Sequence, residues 1–298
     1  MDKKIFQSNP LPLHRIQYNN QTYVRVMFFW TLPFLIGDES MVLLGILLPF
    51  MGTAAGAASV FFLRNKMSDK LLTIMMGFTS GIMMAAAVWS LLLPAIEMSS
   101  SMGKFAFLPA SGGFLGGVFF LLLLDRVIPH IHARTNQKEG PDSRFKKVTM
   151  MVLAVTLHNV PEGMAVGVVF SNCMTGEGAV VTMAGAFLLA VGIALQNIPE
   201  GAIISVPLRG FGKSRRRAFG YGVLSGVVEP IGAVFTILLT KQIQNLLPFL
   251  LAFAAGAMVF VIIEELVPES SGGEDSDMGT IGFAVGFTIM MILDVALG

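Results

Sequence analysis

Two short polar stretches of the chain contain residue types that can bind a cation. The sequences are HNVPEG at 158–163 and QNIPEG at 196–201. The first and fifth residues of each stretch are four apart, so on a helix they share one face. One imidazole, from His158, together with carboxylates such as Glu162 and Glu200, suits zinc and also ferrous iron, manganese, cobalt or cadmium. An all-oxygen cage would have favoured magnesium or calcium instead.

The surroundings of these stretches are strongly apolar. Of the 298 residues, 54% are hydrophobic and 13% are charged, against about 25% charged residues in a soluble globular domain. The mean hydropathy is +0.73. This composition predicts an integral membrane protein whose partner is the lipid bilayer. A net charge of +1 gives no indication of nucleic acid binding.

Three glutamates lie well inside apolar segments: Glu162, Glu200 and Glu229. A charge at the bilayer centre costs about 2.5–3.5 kcal/mol on insertion scales. A bound divalent cation would offset that cost for all three carboxylates, so they are candidate metal ligands. Asn159 and Asn197 could either coordinate the cation weakly or bond a neighbouring helix, and the sequence leaves both readings open.

Eight segments are long and apolar enough to cross the bilayer as helices. They predict an all-α bundle of eight transmembrane helices, near residues 41–63, 71–96, 105–128, 148–170, 178–207, 218–240, 245–267 and 279–297. We expect a single transport domain over 41–298, preceded by an N-terminal segment over 1–40. A ninth apolar stretch, 26–36, is short and contains Pro33, so it is either interfacial or an additional span.

The central helices four and five are expected to be kinked. Pro161 and Pro199 each remove a backbone donor and disturb the bond to the carbonyl four residues earlier. Such backbone is tolerated at membrane depth where it lines a cavity or is satisfied by protein. Matched sites in two spans often form a central transport site.

Small residues predict close helix packing in spans one and three, at Gly52, Gly56, Ala57, Gly112, Gly113, Gly116 and Gly117.

Basic residues indicate the orientation of the chain in the membrane. They are concentrated in the first, third and fifth loops, whereas the second and sixth have one each, Lys104 and Lys241. The positive-inside rule therefore places the odd-numbered loops in the cytoplasm and the C-terminus outside. The seventh loop is acidic and has no basic residue, so it is placed inside only because its number is odd.

The two polar stretches, in consecutive spans of an eight-span chain, resemble the Zrt-/Irt-like metal transporters, the ZIP family. The resemblance covers residues 41–298 and is greatest to the bacterial GufA-like branch with short loops. It implies uptake of zinc, or of cadmium, iron, manganese or cobalt, into the cytoplasm across the inner membrane. It also implies alternating access by two helix bundles. The metal would be the substrate, with no organic cofactor. Members often form dimers, so a homodimer is compatible with the resemblance.

The resemblance implies a binuclear site between spans four and five. The first metal position would use His158, Glu162 and Glu200, with Gln196 where many members have histidine and Met83 as a thioether ligand. The second would use Asn159, Asn197 and Glu229, with Glu200 bridging and Glu162 as a further candidate bridge. Candidate residues along the transport pathway are Ser90, Asp125, Glu264, Glu265 and the loop histidines His130 and His132.

Three other functions compete with metal transport. Intramembrane carboxylates also serve proton relays in carriers of other cations or substrates. An intramembrane zinc-dependent hydrolase would use zinc to activate water, but no HExxH motif is present and His158 is the only histidine in any predicted span. A metal sensor without transport is the third alternative. The duplicated, carboxylate-rich set favours a transporter over an enzyme.

Overall fold

The structure is a computed structural model that describes residues 38–62, 67–131, 138–139, 147–174, 179–210, 212–242, 244–271 and 276–297. The predicted short stretch at 26–36 lies outside these ranges. Within them, eight helical spans are long and apolar enough to cross a membrane: Asp38–Phe62, Asp69–Met98, Phe107–Val127, Val148–Cys173, Met183–Arg209, Arg215–Thr240, Leu247–Ser271 and Asp277–Ala296. The predicted all-α bundle of eight spans is confirmed.

Five of the spans are uninterrupted α-helices: Asp38–Phe62, Phe107–Val127, Lys147–Cys173, Met183–Gly210 and Ser276–Leu297. Pro161 and Pro199 lie inside the fourth and fifth of the eight spans, and each helix continues past its proline. Short 3-10 turns, at Ser100–Phe105 and Gln244–Leu246, precede spans three and seven. His130–Ile131 pairs antiparallel with Lys138–Glu139 in the third loop.

Three spans contain irregular backbone that hydropathy does not predict. The second runs as an α-helix over Asp69–Ala86, a π-helix over Ala87–Leu92 and an α-helix over Leu93–Met98. The sixth is divided into Arg215–Gly226 and Val228–Gln242. The seventh contains a π-helix, Ile262–Leu266, between Leu247–Val261 and Val267–Ser271. Such π segments often occur at functional sites in helices.

Serine caps start the helices of spans two and six. The Ser68 hydroxyl accepts a hydrogen bond from the Leu71 amide at 3.3 Å, and the Ser214 hydroxyl accepts one from the Arg217 amide at 3.4 Å. Each cap satisfies one of the amide groups left free at a helix N-terminus. The caps therefore explain why spans two and six begin directly after short polar loops.

The helices form two groups. Spans one, four, five and six pack mainly with each other, and we call them the first bundle; spans two, three, seven and eight form the second bundle. The two bundles meet where span two contacts span five and span seven contacts span four. Spans four and five are the most enclosed, with 71% and 72% of their apolar stretches buried, against 22% for spans three and eight. The two polar stretches therefore lie at the centre.

Glycines allow the closest helix contacts, as predicted for the first span. Gly52 and Gly56 lie directly against the backbone of the fifth span at Ala194 and Ile198. The neighbouring Ala57 is fully buried. A side chain at either glycine would collide with a backbone carbonyl of span five. Spans one and five can therefore approach this closely only because both positions lack a side chain.

Two of the four glycines in the third span make the close helix contacts that were predicted for them. Gly113 and Gly117 lie against the backbone of the seventh span. Gly112 and Gly116 instead meet only phenylalanine side chains, at 3.4 Å or more from where a Cβ would lie. These two positions would therefore tolerate a methyl group, whereas the other two would not.

Candidate metal site

The carboxylate of Glu229 accepts hydrogen bonds from three other spans. Its Oε1 accepts from the Thr53 hydroxyl at 2.7 Å and from the Asn159 amide at 3.0 Å. Its Oε2 accepts from the Asn197 amide at 3.0 Å. The Glu229 side chain is 1% exposed. Both oxygens of the Glu229 carboxylate are thus hydrogen-bonded, and the group is shielded from solvent.

A second group of contacts surrounds Glu162, one turn after His158 in the fourth span. The Gln196 amide of span five donates to Glu162 Oε1 at 2.7 Å. His158 Nε2 is in contact with the carboxylate of Glu265, in the π-helical segment of span seven. The two polar stretches are thus directly joined, and His158 connects them to the second bundle.

Five buried oxygens in this region have no hydrogen-bond partner. They are Asn159 Oδ1, Glu162 Oε2, Gln196 Oε1, Asn197 Oδ1 and Glu200 Oε2. Buried polar atoms in proteins are almost always paired, because an unpaired one loses its hydration without compensation. All five are electron-pair donors, and all five lie on spans four and five. A bound cation would supply a partner to those that coordinate it.

The site also brings several carboxyl groups close together. Glu200 is close enough to Glu162, Glu229 and Glu265 for their carboxylates to repel one another when ionised. Within the described ranges, however, no three His, Cys, Asp or Glu side chains are arranged as a ready cage for a metal ion. Any metal held here would therefore depend on amide oxygens as well. Amide oxygens are weaker ligands than carboxylates, so such a site would hold a metal ion less tightly.

Met83 lies in the second span, on the side that faces the fifth. Thr79, four residues earlier on the same helix face, donates to the backbone carbonyl of Gln196 at 3.3 Å. Met83 itself is fully buried. The second bundle therefore brings Met83 towards Gln196, which belongs to the polar cluster of His158, Asn159, Glu162, Gln196, Asn197, Glu200 and Glu229.

Of the other predicted pathway residues, some lie beside His158 and others lie elsewhere in the structure. Glu265 is buried against His158, whereas its neighbour Glu264 is exposed on the outside of the seventh span. Asp125 is half-buried near the end of the third span. His130 begins the two-residue strand of the third loop, and His132 lies outside the described residues. The structure therefore brings Glu265, but not Glu264, to the polar cluster.

Ser90 has a partner that the sequence reading missed. Its hydroxyl, in the π-helical segment of span two, donates to Asp294 Oδ1 at 2.6 Å. Asp294 belongs to the eighth span, and its Oδ2 has no hydrogen-bond partner. An aspartate inside an apolar span is costly, and this signal was available from the sequence.

A bundle of eight membrane spans with buried carboxylates, amides and an imidazole at its centre defines a class, the membrane transporters of cations. Residues 142–294 match the ZIP zinc transporter family. The chain is 34% identical to the zinc transporter ZIP11 of Homo sapiens, over 86% of this chain and 97% of the relative. It is 36% identical to the zinc transporter GufA of Myxococcus xanthus, over 83% and 96%. The zinc transporter ZIPB of Bordetella bronchiseptica is also 36% identical, over 84% and 79%.

The chain belongs to the ZIP family. Its class of activity is divalent metal transport, and it is a transporter rather than an enzyme. The intramembrane hydrolase considered from the sequence is therefore set aside.

Proposed function

We propose that the protein carries zinc into the cytoplasm through the polar cluster between spans four and five. The observation that carries the proposal is the set of five unpartnered buried oxygens on these two spans. The relatives named above are zinc transporters, which supports zinc as the substrate. Cadmium, iron, manganese and cobalt have similar ligand preferences and are candidate competitors.

The candidate ligands divide into two adjoining metal positions. One is formed by His158, Glu162, Gln196 and Glu200, with Met83 at its edge. The other is formed by the oxygens of Asn159 and Asn197 together with Glu229. Glu200 would bridge them, because it is near the carboxylates of both groups. With an ion bound, His158 would exchange its contact with Glu265 for the metal.

Alternating access would follow from movement of one bundle relative to the other. His158, Glu162, Glu200 and Glu229 all lie on the first bundle, whereas Met83 and Glu265 lie on the second. Movement of the first bundle would therefore carry most of the ligands together and exchange the groups that contact them from the second. We propose that Ser90 and Asp294 face the outer entrance and that Glu265 and Asp125 lie towards the cytoplasm. This follows from the basic residues of loops one, three and five.

Zinc entry into proteoliposomes that contain the purified protein tests this proposal. We expect saturable entry for the wild type and none above empty liposomes for the variant His158→Ala/Glu200→Ala. Glu97→Ala is the matched control, because Glu97 is exposed at the end of span two. Equal zinc entry by the wild type and the double variant would reject the site.

A further inference from the structure

A threonine of the first span is in contact with the proposed second metal position. Thr53 is fully buried, and its hydroxyl lies 2.7 Å from Glu229 Oε1. The alternative acceptor, the carbonyl of Pro49 one turn earlier in the same helix, lies 3.5 Å away. A hydroxyl has one proton to donate, so the shorter distance assigns that proton to the carboxylate.

The position of Thr53 is fixed by close packing on two sides. Gly201, directly after Glu200, lies against the Thr53 backbone. A Cβ built on Gly226 would lie 2.9 Å from the Thr53 Cβ. Span five therefore packs against the backbone of Thr53, and span six packs against its side chain, which leaves the threonine little room to move.

Glu229 in turn determines which way two asparagines point. The Asn159 amide nitrogen donates to Glu229 Oε1 and to the Ser225 carbonyl, and the Asn197 amide nitrogen donates to Glu229 Oε2. Flipping either amide would place an oxygen against a carboxylate. Each amide therefore turns its nitrogen, and not its oxygen, to Glu229, and both Oδ1 atoms are left without a hydrogen-bond partner.

We propose that Thr53 is a positioning residue for the second metal position. Its hydroxyl fixes the Glu229 carboxylate, and the carboxylate keeps the oxygens of Asn159 and Asn197 available to the cation. This inference rests on the proposed function and extends the site to the first span. Groups that orient metal ligands typically contribute about 10–100-fold to metal affinity or activity.

Three variants separate positioning from packing. Thr53→Val replaces the hydroxyl by a methyl group of similar size, and Thr53→Ser keeps the hydroxyl. Thr236→Val is the matched control, because the buried Thr236 hydroxyl donates to the Gly232 carbonyl of its own helix at 2.8 Å. Each variant is measured for the zinc concentration at half-maximal uptake, for thermal unfolding without metal, and for the added stability that zinc provides.

We expect Thr53→Val to raise the half-saturating zinc concentration by about tenfold or more and to reduce the stabilisation by zinc. Thr53→Ser should stay within about twofold of the wild type, and Thr236→Val should not differ from it. An unchanged half-saturating concentration in Thr53→Val would overturn the inference, as would equal losses in the valine and serine variants.

The same measurements distinguish failure of the proposed function from failure of the Thr53 inference. If the wild type neither binds nor transports zinc, the site and the role of Thr53 are both rejected. If wild-type uptake depends on His158 and Glu200 but ignores Thr53→Val, only the Thr53 inference is rejected. Zinc-dependent stability is measured beside uptake, so Thr53 is tested even in protein that binds zinc without carrying it.

Discussion

Glu200 is the side chain on which the proposed site depends most. It is 5% exposed, its Oε2 has no partner, and it lies near three other carboxylates. We expect Glu200→Ala to abolish zinc uptake because it removes the bridging ligand. Its thermal stability without metal should be equal to or higher than that of the wild type, because a repelling charge is lost. Uptake at the wild-type rate, with equal amounts of folded protein, would reject the bridging role.

Gln196 should influence which metal is preferred. Its amide nitrogen is engaged by Glu162, and its oxygen is unpartnered. Gln196→His replaces a weak amide ligand by an imidazole, which favours zinc and cadmium over manganese. We expect manganese to compete less well against zinc uptake in this variant. Identical competition by cadmium and manganese in both proteins would remove Gln196 from the ligand set.

Much of the candidate site could be predicted at the residue scale. Charged and amide groups are so costly in a membrane that His158, Glu162 and Glu200 stand out in the sequence. Thr53 did not, because a threonine in an apolar helix usually bonds its own backbone and gives no signal. Its contact with Glu229 depends on the packing of spans one and six, which one sequence does not reveal.

The close contact between spans one and five depends on Gly56. Gly56→Ala would press a methyl group against the Ile198 carbonyl, between spans one and five. We expect it to destabilise the protein by about 1–3 kcal/mol, as overpacking does, seen as a lower unfolding temperature in detergent.

Gly220→Ala is the matched control, because a Cβ there meets nothing within 4 Å. It should be neutral or slightly stabilising, since alanine favours helix over glycine. Equal unfolding temperatures for the two variants would contradict the close contact between spans one and five.

The spans themselves were predictable because length and hydropathy decide them. The π-helical segments Ala87–Leu92 and Ile262–Leu266 were not. They shift the backbone hydrogen bonds by one residue, and hydropathy alone carries no signal for such a shift. Glu265 lies in the second segment and is buried against His158, whereas its neighbour Glu264 is exposed. The sequence predicted both glutamates as pathway residues and could not distinguish them.

The orientation of the whole molecule can be tested by labelling. In a Cys173→Ala background, single cysteines replace Lys104 in the second loop or Arg215 in the fifth, both of which are exposed. An impermeant thiol reagent added outside intact cells should modify the cysteine at 104 and not the one at 215. The opposite pattern would invert the topology, and with it the proposed direction of transport.

The eight spans divide into two bundles, and the movement proposed for transport is of one bundle relative to the other. The first contains the two polar stretches, Glu229 and Thr53, and the second contributes Met83 and Glu265 from across the contact between them. This division was not evident from the order of the spans, because the first span packs against the fifth and the second against the eighth. Between the bundles, the transported ion is proposed to bind at the polar residues of spans four and five.

Anomalous diffraction at the zinc edge, from crystals of the wild type equilibrated with zinc, tests that location most directly. We predict anomalous density bounded by His158, Glu162 and Glu200, with a second peak near Asn159 and Asn197. Both peaks should be absent from the His158→Ala/Glu200→Ala variant. Density confined to the loops in zinc-saturated wild-type protein, with none between spans four and five, would contradict the account.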